Sequence, residues 1–266
     1  MKQTIKFSKM QGLGNDFVVI HAVDPLISLK NLPIPMWSHR HLGIGFDQLL
    51  FIDKSQLADF SCRIFNSDGR EAEQCGNGMR CVAYFIYEKK LCEKNTFTIE
   101  TLGGIVTACV KNNTHITIDM GIPCFEKECT IQLSPSEPLL NLSLLSLGNP
   151  HAILPVESTE LAPVVELGLK ISTHTLFPNG VNVGFMQVIN RKKIKLRTFE
   201  RGAGETFACG TNSCAAVVAG IEKGWLDNKV EVELALGSLW IEWAGKGYPL
   251  RMSGPAEWVF EGTITL

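Results

Sequence analysis

The sequence predicts an α+β protein built from two similar units, each a β-rich sheet with one long helix. Three observations support this. The chain repeats itself at a constant spacing, its β-rich runs are short and end at Gly, Asp or Asn, and in each half a helical apolar pattern follows a cysteine-glycine pair.

The repeat is clearest where "RIFNSDGREAEQCG" (Arg63 to Gly76) is written above "RTFERGAGETFACG" (Arg197 to Gly210). Arg63 meets Arg197, Phe65 meets Phe199, Glu71 meets Glu205, Cys75 meets Cys209 and Gly76 meets Gly210, all 134 residues apart (209 − 75) with no gap. The same spacing puts Gly14 and Asn15 over Gly148 and Asn149, Gln48 over Asn182, Phe51 over Phe185, and "TLGG" around Gly103 over "ALGS" around Gly237. Amides and cysteines matched at one spacing indicate duplication of a unit of roughly 130 residues, which is a domain-sized length.

In the first unit "TIKFSKM", "DFVVIHA", "QLLFID" and "SCRIFNS" read as strands. "NGMRCVAYFIYEKK" carries Met79, Val82, Ala83 and Ile86 at helical spacing and ends in charge, so it reads as a helix. "FTIETLGGIVTACV" reads as a hairpin, and "HITIDMG" as a further strand. The second unit repeats the series with "FMQVINR", "KIKLRTFE", the helix "NSCAAVVAGIEKG" and the hairpin "VEVELALGSLWIEWA".

Composition narrows the function classes. Hydrophobic residues make up 45% and charged ones 20%, which suits a globular chain. A net charge of −2 gives no electrostatic reason to expect nucleic acid or an anionic membrane as partner. The opening residues hold no apolar core of signal-peptide length, and runs such as "CVAYFIY" are too short to span a bilayer. The expected location is therefore the cytoplasm. Nine cysteines scattered through such a chain read as thiols rather than a disulfide framework.

Cys75 and Cys209 each precede a glycine and a helix, so both are expected at helix N-termini. Free backbone N–H groups and the helix dipole favour negative charge there, which lowers a thiol pKa and can also hold a substrate carboxylate. Two such units facing each other about a pseudo-twofold axis would offer one thiolate and one thiol to opposite faces of a tetrahedral carbon. That arrangement suits racemisation or epimerisation by general acid-base catalysis. Asn15, Asn66, Asn149 and Asn182 offer neutral donors and acceptors, and Glu200 with Arg201 could bind the ammonium and carboxylate of a small zwitterion.

The set "GLGNDF", "NSDGREAEQCGNGMRC", "LGNPHA", "FPNGVNVGF" and "ERGAGETFACGTNSCAA" resembles the diaminopimelate epimerase family over essentially the whole chain. The resemblance implies a cofactor-independent enzyme that interconverts LL- and meso-diaminopimelate for lysine and peptidoglycan synthesis; no metal is expected, because neither paired Cys-x-x-Cys nor clustered His occurs in the sequence. It implies Cys75 and Cys209 as the acid-base pair, with His151 and Glu200 assisting. Implied substrate contacts are Asn15, Gln48, Asn66, Gly76, Asn77, Asn149, Asn182, Glu200, Arg201, Gly210 and Thr211. It further implies pseudo-symmetric lobes, each a curved, mostly antiparallel sheet around a central helix, with the active site in the cleft between them, and a homodimer. The lobes are expected at residues 1–115, completed by a C-terminal strand at 256–266, and at residues 116–255.

Some residues depart from the family pattern. Gln11 stands where His is more usual, Gln74 where Met is frequent, and "GTNSC" replaces "GTGAC". Cys81 and Cys214 read as packing residues, Cys124 and Cys129 as incidental members of a loop, and His39 and His41 as turn or solvated histidines. The rivals are a proline or hydroxyproline racemase, a phenazine-type isomerase of the same fold, and a non-catalytic small-molecule binding protein.

Overall fold

The structure is a computed structural model that describes residues 4–22, 29 and 32–265. The chain divides into two compact units, one running to Ile118 and resuming at Gly254, the other spanning Asp119–Ser253.

In chain order, the first unit comprises β1 (Thr4–Gly12), β2 (Asn15–His21), α1 (Ile34–Ser38), β3 (Gln48–Asp53), β4 (Phe60–Asn66), β5 (Glu71–Ala72), α2 (Gly76–Glu88), β6 (Thr96–Thr101), β7 (Gly104–Asn112) and β8 (His115–Asp119). The second comprises β9 (Cys124–Ile131), β10 (Leu140–Ser146), β11 (Pro150–Pro155), α3 (Val164–Ser172), β12 (Asn182–Asn190), β13 (Lys193–Glu200), β14 (Gly204–Thr206), α4 (Gly210–Glu222), β15 (Lys229–Leu234), β16 (Gly237–Trp243) and β17 (Leu250–Gly254). A last strand, β18 (Glu257–Thr265), pairs with β1 in the first unit.

Each unit is one sheet with the same order and the same two parallel joints. In the first, β18, β1, β2, β3, β4, β6 and β7 are neighbours in that sequence, and β8 follows β7. Only β2–β3 and β4–β6 run parallel. In the second, β9 through β13 are followed by β15, β16 and β17, with β11–β12 and β13–β15 parallel. A parallel joint needs a crossover connection, and α2 and α4 lie within two of these crossovers.

The sheet-helix relationship follows from the sequence pattern. α2 and α4 are buried along nearly their whole length, as a helix apolar around most of its circumference must be. α2 packs against β1, β2, β3 and β7, strands far apart in one sheet, so the sheet curves around it. The opposite face of β1–β4 is covered too: Val18, Ile20, Leu49, Phe51 and Phe65 form a second core with Ile34 and Trp37 of α1. Their counterparts Ala152, Leu154, Val183, Phe185 and Phe199 form the matching core with Val164 and Ile171 of α3. Strands buried on both faces explain why "DFVVI" and "QLLFI" are continuous apolar runs without alternation.

Two expectations need correction. The "GIPCFEKECT" segment is not a loop: Cys124 and Cys129 lie on strand β9, which pairs with β10 as β18 pairs with β1. Much of β9 is exposed, so its charged residues are compatible with an edge strand held by backbone pairing. The hairpin glycines also match differently. Gly104 (φ 120°), opposite Thr101, corresponds to Gly237 (φ 139°), opposite Leu234, so Gly103 is displaced by one residue. The connection after α4, residues 223–228, is one residue shorter than that after α2, residues 89–95.

The repeated Arg and Glu are paired side chains. Arg63 Nε donates to Glu71 Oε1 at 2.8 Å and Arg197 Nε to Glu205 Oε1 at 2.7 Å, each spanning the short hairpin that leads to a matched cysteine.

Candidate active site

In the first unit the β1–β2 hairpin turns through Leu13 (φ 55°) and Gly14 (φ 86°). Two successive left-handed residues suit the twist of a tight hairpin, and they deliver Asn15 as the first residue of β2. Its Nδ2 donates to Asp47 Oδ2 at 2.8 Å, while its Oδ1 accepts from Asn77 Nδ2 at 3.4 Å and from the Cys75 thiol at 3.8 Å.

Cys75 is the N-cap of α2, and its Sγ accepts from the backbone N–H of Gly78 at 3.3 Å. Gly76 and Asn77 form the buried first turn. Gln48 and Asn66 are opposed across β3 and β4, with Gln48 Nε2 donating to Asn66 Oδ1 at 2.8 Å. Gln48 Oε1 is buried with no hydrogen-bond partner among the described residues, so its capacity to accept is unused there.

An ionic network stands behind Asn15. Arg40 bridges Asp16 at 2.9 Å and Asp47 at 2.7 Å, and Lys9 pairs with Asp16. Burial works to raise the Asp16 pKa, but hydrogen bonds and charge from Arg40 and Lys9 outweigh it and hold the carboxyl at about 2.

In the second unit Cys209 is the N-cap of α4, followed by Gly210 and Thr211. Its Sγ lies 3.5 Å from Thr211 Oγ1, and Asn149 Nδ2 donates to that hydroxyl at 3.4 Å. Asn149 Oδ1 is 2.9 Å from His151 Nε2. Glu200, at the end of β13, accepts from Thr206 Oγ1 at 2.6 Å and acts electrostatically on Cys209. Asn182 Oδ1 accepts from the Arg201 backbone N–H at 3.1 Å, and the exposed Arg201 side chain donates to the Asn179 carbonyl at 3.2 Å.

The expectation of a lowered thiol pKa does not hold at Cys209. Burial and then the Glu200 charge push that thiol well above its ordinary value, outweighing hydrogen bonds from Thr211 and the Asn212 backbone. At neutral pH Cys209 is therefore the protonated thiol. His151 does not contact the sulfur through any described hydrogen bond: it holds Asn149, which holds Thr211, which reaches Cys209.

His151 is 1% exposed, and burial, followed by the Arg201 charge, depresses its pKa to about 3. Unfolded, it takes up a proton near 6.5; folded, it resists. The stability it contributes is thus full above pH 6.5 and is lost as pH falls towards 3, at up to about 1.4 kcal/mol per unit. Urea unfolding should show a loss of about 2 kcal/mol between pH 7.5 and 5.0, most of it absent in His151→Gln. An equal loss in the variant would remove His151 as the cause.

The units share a scaffold but not an ionisable set. Parallel pairing aligns Phe17 with Gln48 in one and His151 with Asn182 in the other, so His151 stands where the first unit has Phe17. By the same spacing Glu200 stands at the position of Asn66, and Val181 at that of Asp47. Sequence reasoning missed Asp47, Asp16 and Arg40 behind Asn15, and Thr206 on Glu200. The available signal was adjacency: Asp16 follows Asn15, and Asp47 precedes Gln48. Cys81 and Cys214 are fully buried, and His39 Nδ1 accepts from the backbone N–H groups of His41 and Leu42 in a turn. No helix among the described residues is long and apolar enough to cross a membrane.

A family model described as diaminopimelate epimerase matches residues 7–125 and 143–259. The chain is 48% identical over 273 residues to the diaminopimelate epimerase of Nitrosomonas europaea, covering 98% of this chain and 99% of that protein. It is 48% identical over 274 residues to the enzyme of the same name from Stutzerimonas stutzeri, with the same coverage. Among solved structures it is similar to a phenazine biosynthesis protein of the PhzF family from Bacillus anthracis, with TM-score 0.77, 21% identity and coverage of 99% and 100%. It is also similar to a hydroxyproline epimerase from Agrobacterium vitis, with TM-score 0.77, 17% identity and coverage of 100% and 94%. At those identities the solved structures speak for the fold, whereas the full-length relatives and the family model speak for membership. This chain belongs to the diaminopimelate epimerase family.

Proposed function

We propose that the protein interconverts LL- and meso-diaminopimelate, without a cofactor, in lysine and peptidoglycan precursor synthesis. Full-length similarity to diaminopimelate epimerases supports the substrate. One structural observation supports the chemistry: two equivalent helices each begin at a cysteine, in units whose ionisable groups differ. Inversion at an α-carbon needs a base on one face and an acid on the other, and each unit supplies one thiol for that purpose. Cys209, kept protonated by burial and Glu200, suits the acid when Cys75 is the base, and the roles reverse in the opposite direction.

In this reading the amides of Asn15, Gln48, Asn66, Asn77, Asn149 and Asn182 recognise the polar ends of the substrate. Glu200 and Arg201 meet its ammonium and carboxylate, and the backbone N–H groups at Gly76, Gly210 and Thr211 favour negative charge at the two helix starts. The family resemblance adds a cytoplasmic location and a homodimer, the second of which a mass measurement in solution reads.

The hydroxyproline epimerase fold match keeps a proline-type racemase as the second reading. Incubation in D2O with LL-diaminopimelate, and separately with L-proline, distinguishes them by NMR. Deuterium should enter the α-position of diaminopimelate as the meso form accumulates, while L-proline stays protonated. Exchange into proline alone would overturn the assignment.

A further inference from the structure

Asn15 and Asn149 are equivalent residues presented in opposite senses. Asn15 turns its carbonyl oxygen towards Cys75 and Asn77, with its Nδ2 directed at Asp47. Asn149 turns its Nδ2 towards Thr211, the neighbour of Cys209, with its oxygen directed at His151. The two residues match in the repeat, but Asn15 opens β2 opposite Gly12 whereas Asn149 lies in the bend just before β11, and the side chains behind the two amides differ as well.

We propose that Asp47 is a positioning residue that fixes the Asn15 amide so that Cys75 faces a hydrogen-bond acceptor. A carboxylate can only accept, so Asp47 Oδ2 admits only the NH2 end of Asn15. Asp47 is itself held: Arg40 Nη2 donates to its Oδ1 at 2.7 Å, the Asp16 backbone N–H donates to its Oδ2 at 3.2 Å, and its own backbone N–H donates to Asp16 Oδ1 at 3.0 Å. The consequence at sulfur is directional. An acceptor beside Cys75 stabilises the S–H form relative to the thiolate, and a donor there would do the reverse. The second unit has Val181 in place of Asp47, and its amide is held by His151 instead. The two units thereby give equivalent amides opposite polarity.

Other groups coupled to Cys75 do not set this polarity. Cys62 on β4 and Cys81 on α2 feel the charge of Cys75, but it is chiefly burial that pushes their thiols far up, so they stay neutral beside it. Arg80 on α2 is fully buried and donates to the Pro255 carbonyl at 3.1 Å. Lys9 is paired with Asp16, and Arg40 with both carboxylates.

The proposal rests on Cys75 being the reacting thiol of its unit, but its test does not use turnover. Alkylation of Cys75 by iodoacetamide, followed across pH by peptide mass spectrometry, reports the thiol directly. In Asp47→Asn the charged Arg40 donor at 2.7 Å holds the oxygen of the new amide against the weaker 3.2 Å claim of the Asp16 backbone N–H, so the NH2 end faces Asn15 and turns that amide over. The alkylation midpoint should fall by about one pH unit. In an Asn15→Ala background the same substitution should change nothing, because the intermediary is gone. Asp47→Ala, run through the same cycle, substitutes if the asparagine variant does not fold. An unmoved midpoint, or an equal shift with and without Asn15, would overturn the proposal; the second result would mean that Asp47 acts by charge alone. Failure of diaminopimelate exchange in D2O would instead strike the epimerase reading and leave this titration interpretable.

Discussion

Cys75→Ala and Cys209→Ala should each lose about 10²–10⁴-fold in the rate of interconversion, in both directions. The symmetry follows from the chemistry. Whichever thiol takes the α-proton, the other must supply a proton to the opposite face, so removing either blocks net inversion. The double variant should then be no more than about tenfold slower than the worse single one, since groups acting as a unit are not additive. A structural explanation is separable. Alanine at 75 removes the sulfur that accepts from Gly78, a cap contact worth about 1 kcal/mol, which thermal melting will register. Serine restores an N-cap acceptor but not a group that ionises near neutral pH, so Cys75→Ser should melt like the parent and remain inactive. Inversion in either alanine variant within tenfold of the parent would sink the two-base mechanism.

Much of this arrangement was legible in the sequence because duplication doubles every signal. The ungapped match of Arg63–Gly76 with Arg197–Gly210 located both helix starts, and the paired Arg and Glu within it are the ion pairs that span each hairpin. Strands buried on both faces, such as β2 and β3, announced themselves as apolar runs. The elements that escaped have little periodic signal. α1 is five residues long, and β9 is a largely exposed edge strand rich in Glu and Lys, held by backbone pairing that leaves no mark on side-chain pattern.

The site divides in the same way. Residue types and spacing identified the thiols and amides, because these recur at 134-residue intervals. What distinguishes the two half-sites lay at positions where the repeat does not match: Asp47 against Val181, Phe17 against His151, Asn66 against Glu200. A search for similarity passes over such positions, yet they determine the charge around each sulfur. The shift at Cys209 was illegible for a further reason. Its sign depends on burial competing with the helix dipole and hydrogen bonds, and burial is a property of the packed unit.

Glu200→Gln tests how far that asymmetry matters. Removing the carboxylate eliminates both its charge and its hydrogen bond at Cys209, each of which raises the thiol pKa, while burial remains. The pH-rate limb belonging to Cys209 should therefore move to lower pH, with kcat falling by about 10- to 100-fold near neutrality as the acid and base lose their matching. Because the overall equilibrium is unchanged, kcat/KM must fall by the same factor for LL- and meso-diaminopimelate, a consistency check within the experiment. Glu200 also stands in the proposed ammonium contact, so KM should rise, and the kcat-to-KM split separates the two roles. Thr206→Val provides the control, because it removes the 2.6 Å hydrogen bond to Glu200 but leaves the charge beside the thiol. If Glu200→Gln raised KM alone and left the pH-rate limb in place, Glu200 would bind substrate without tuning Cys209, and burial alone would keep that thiol protonated.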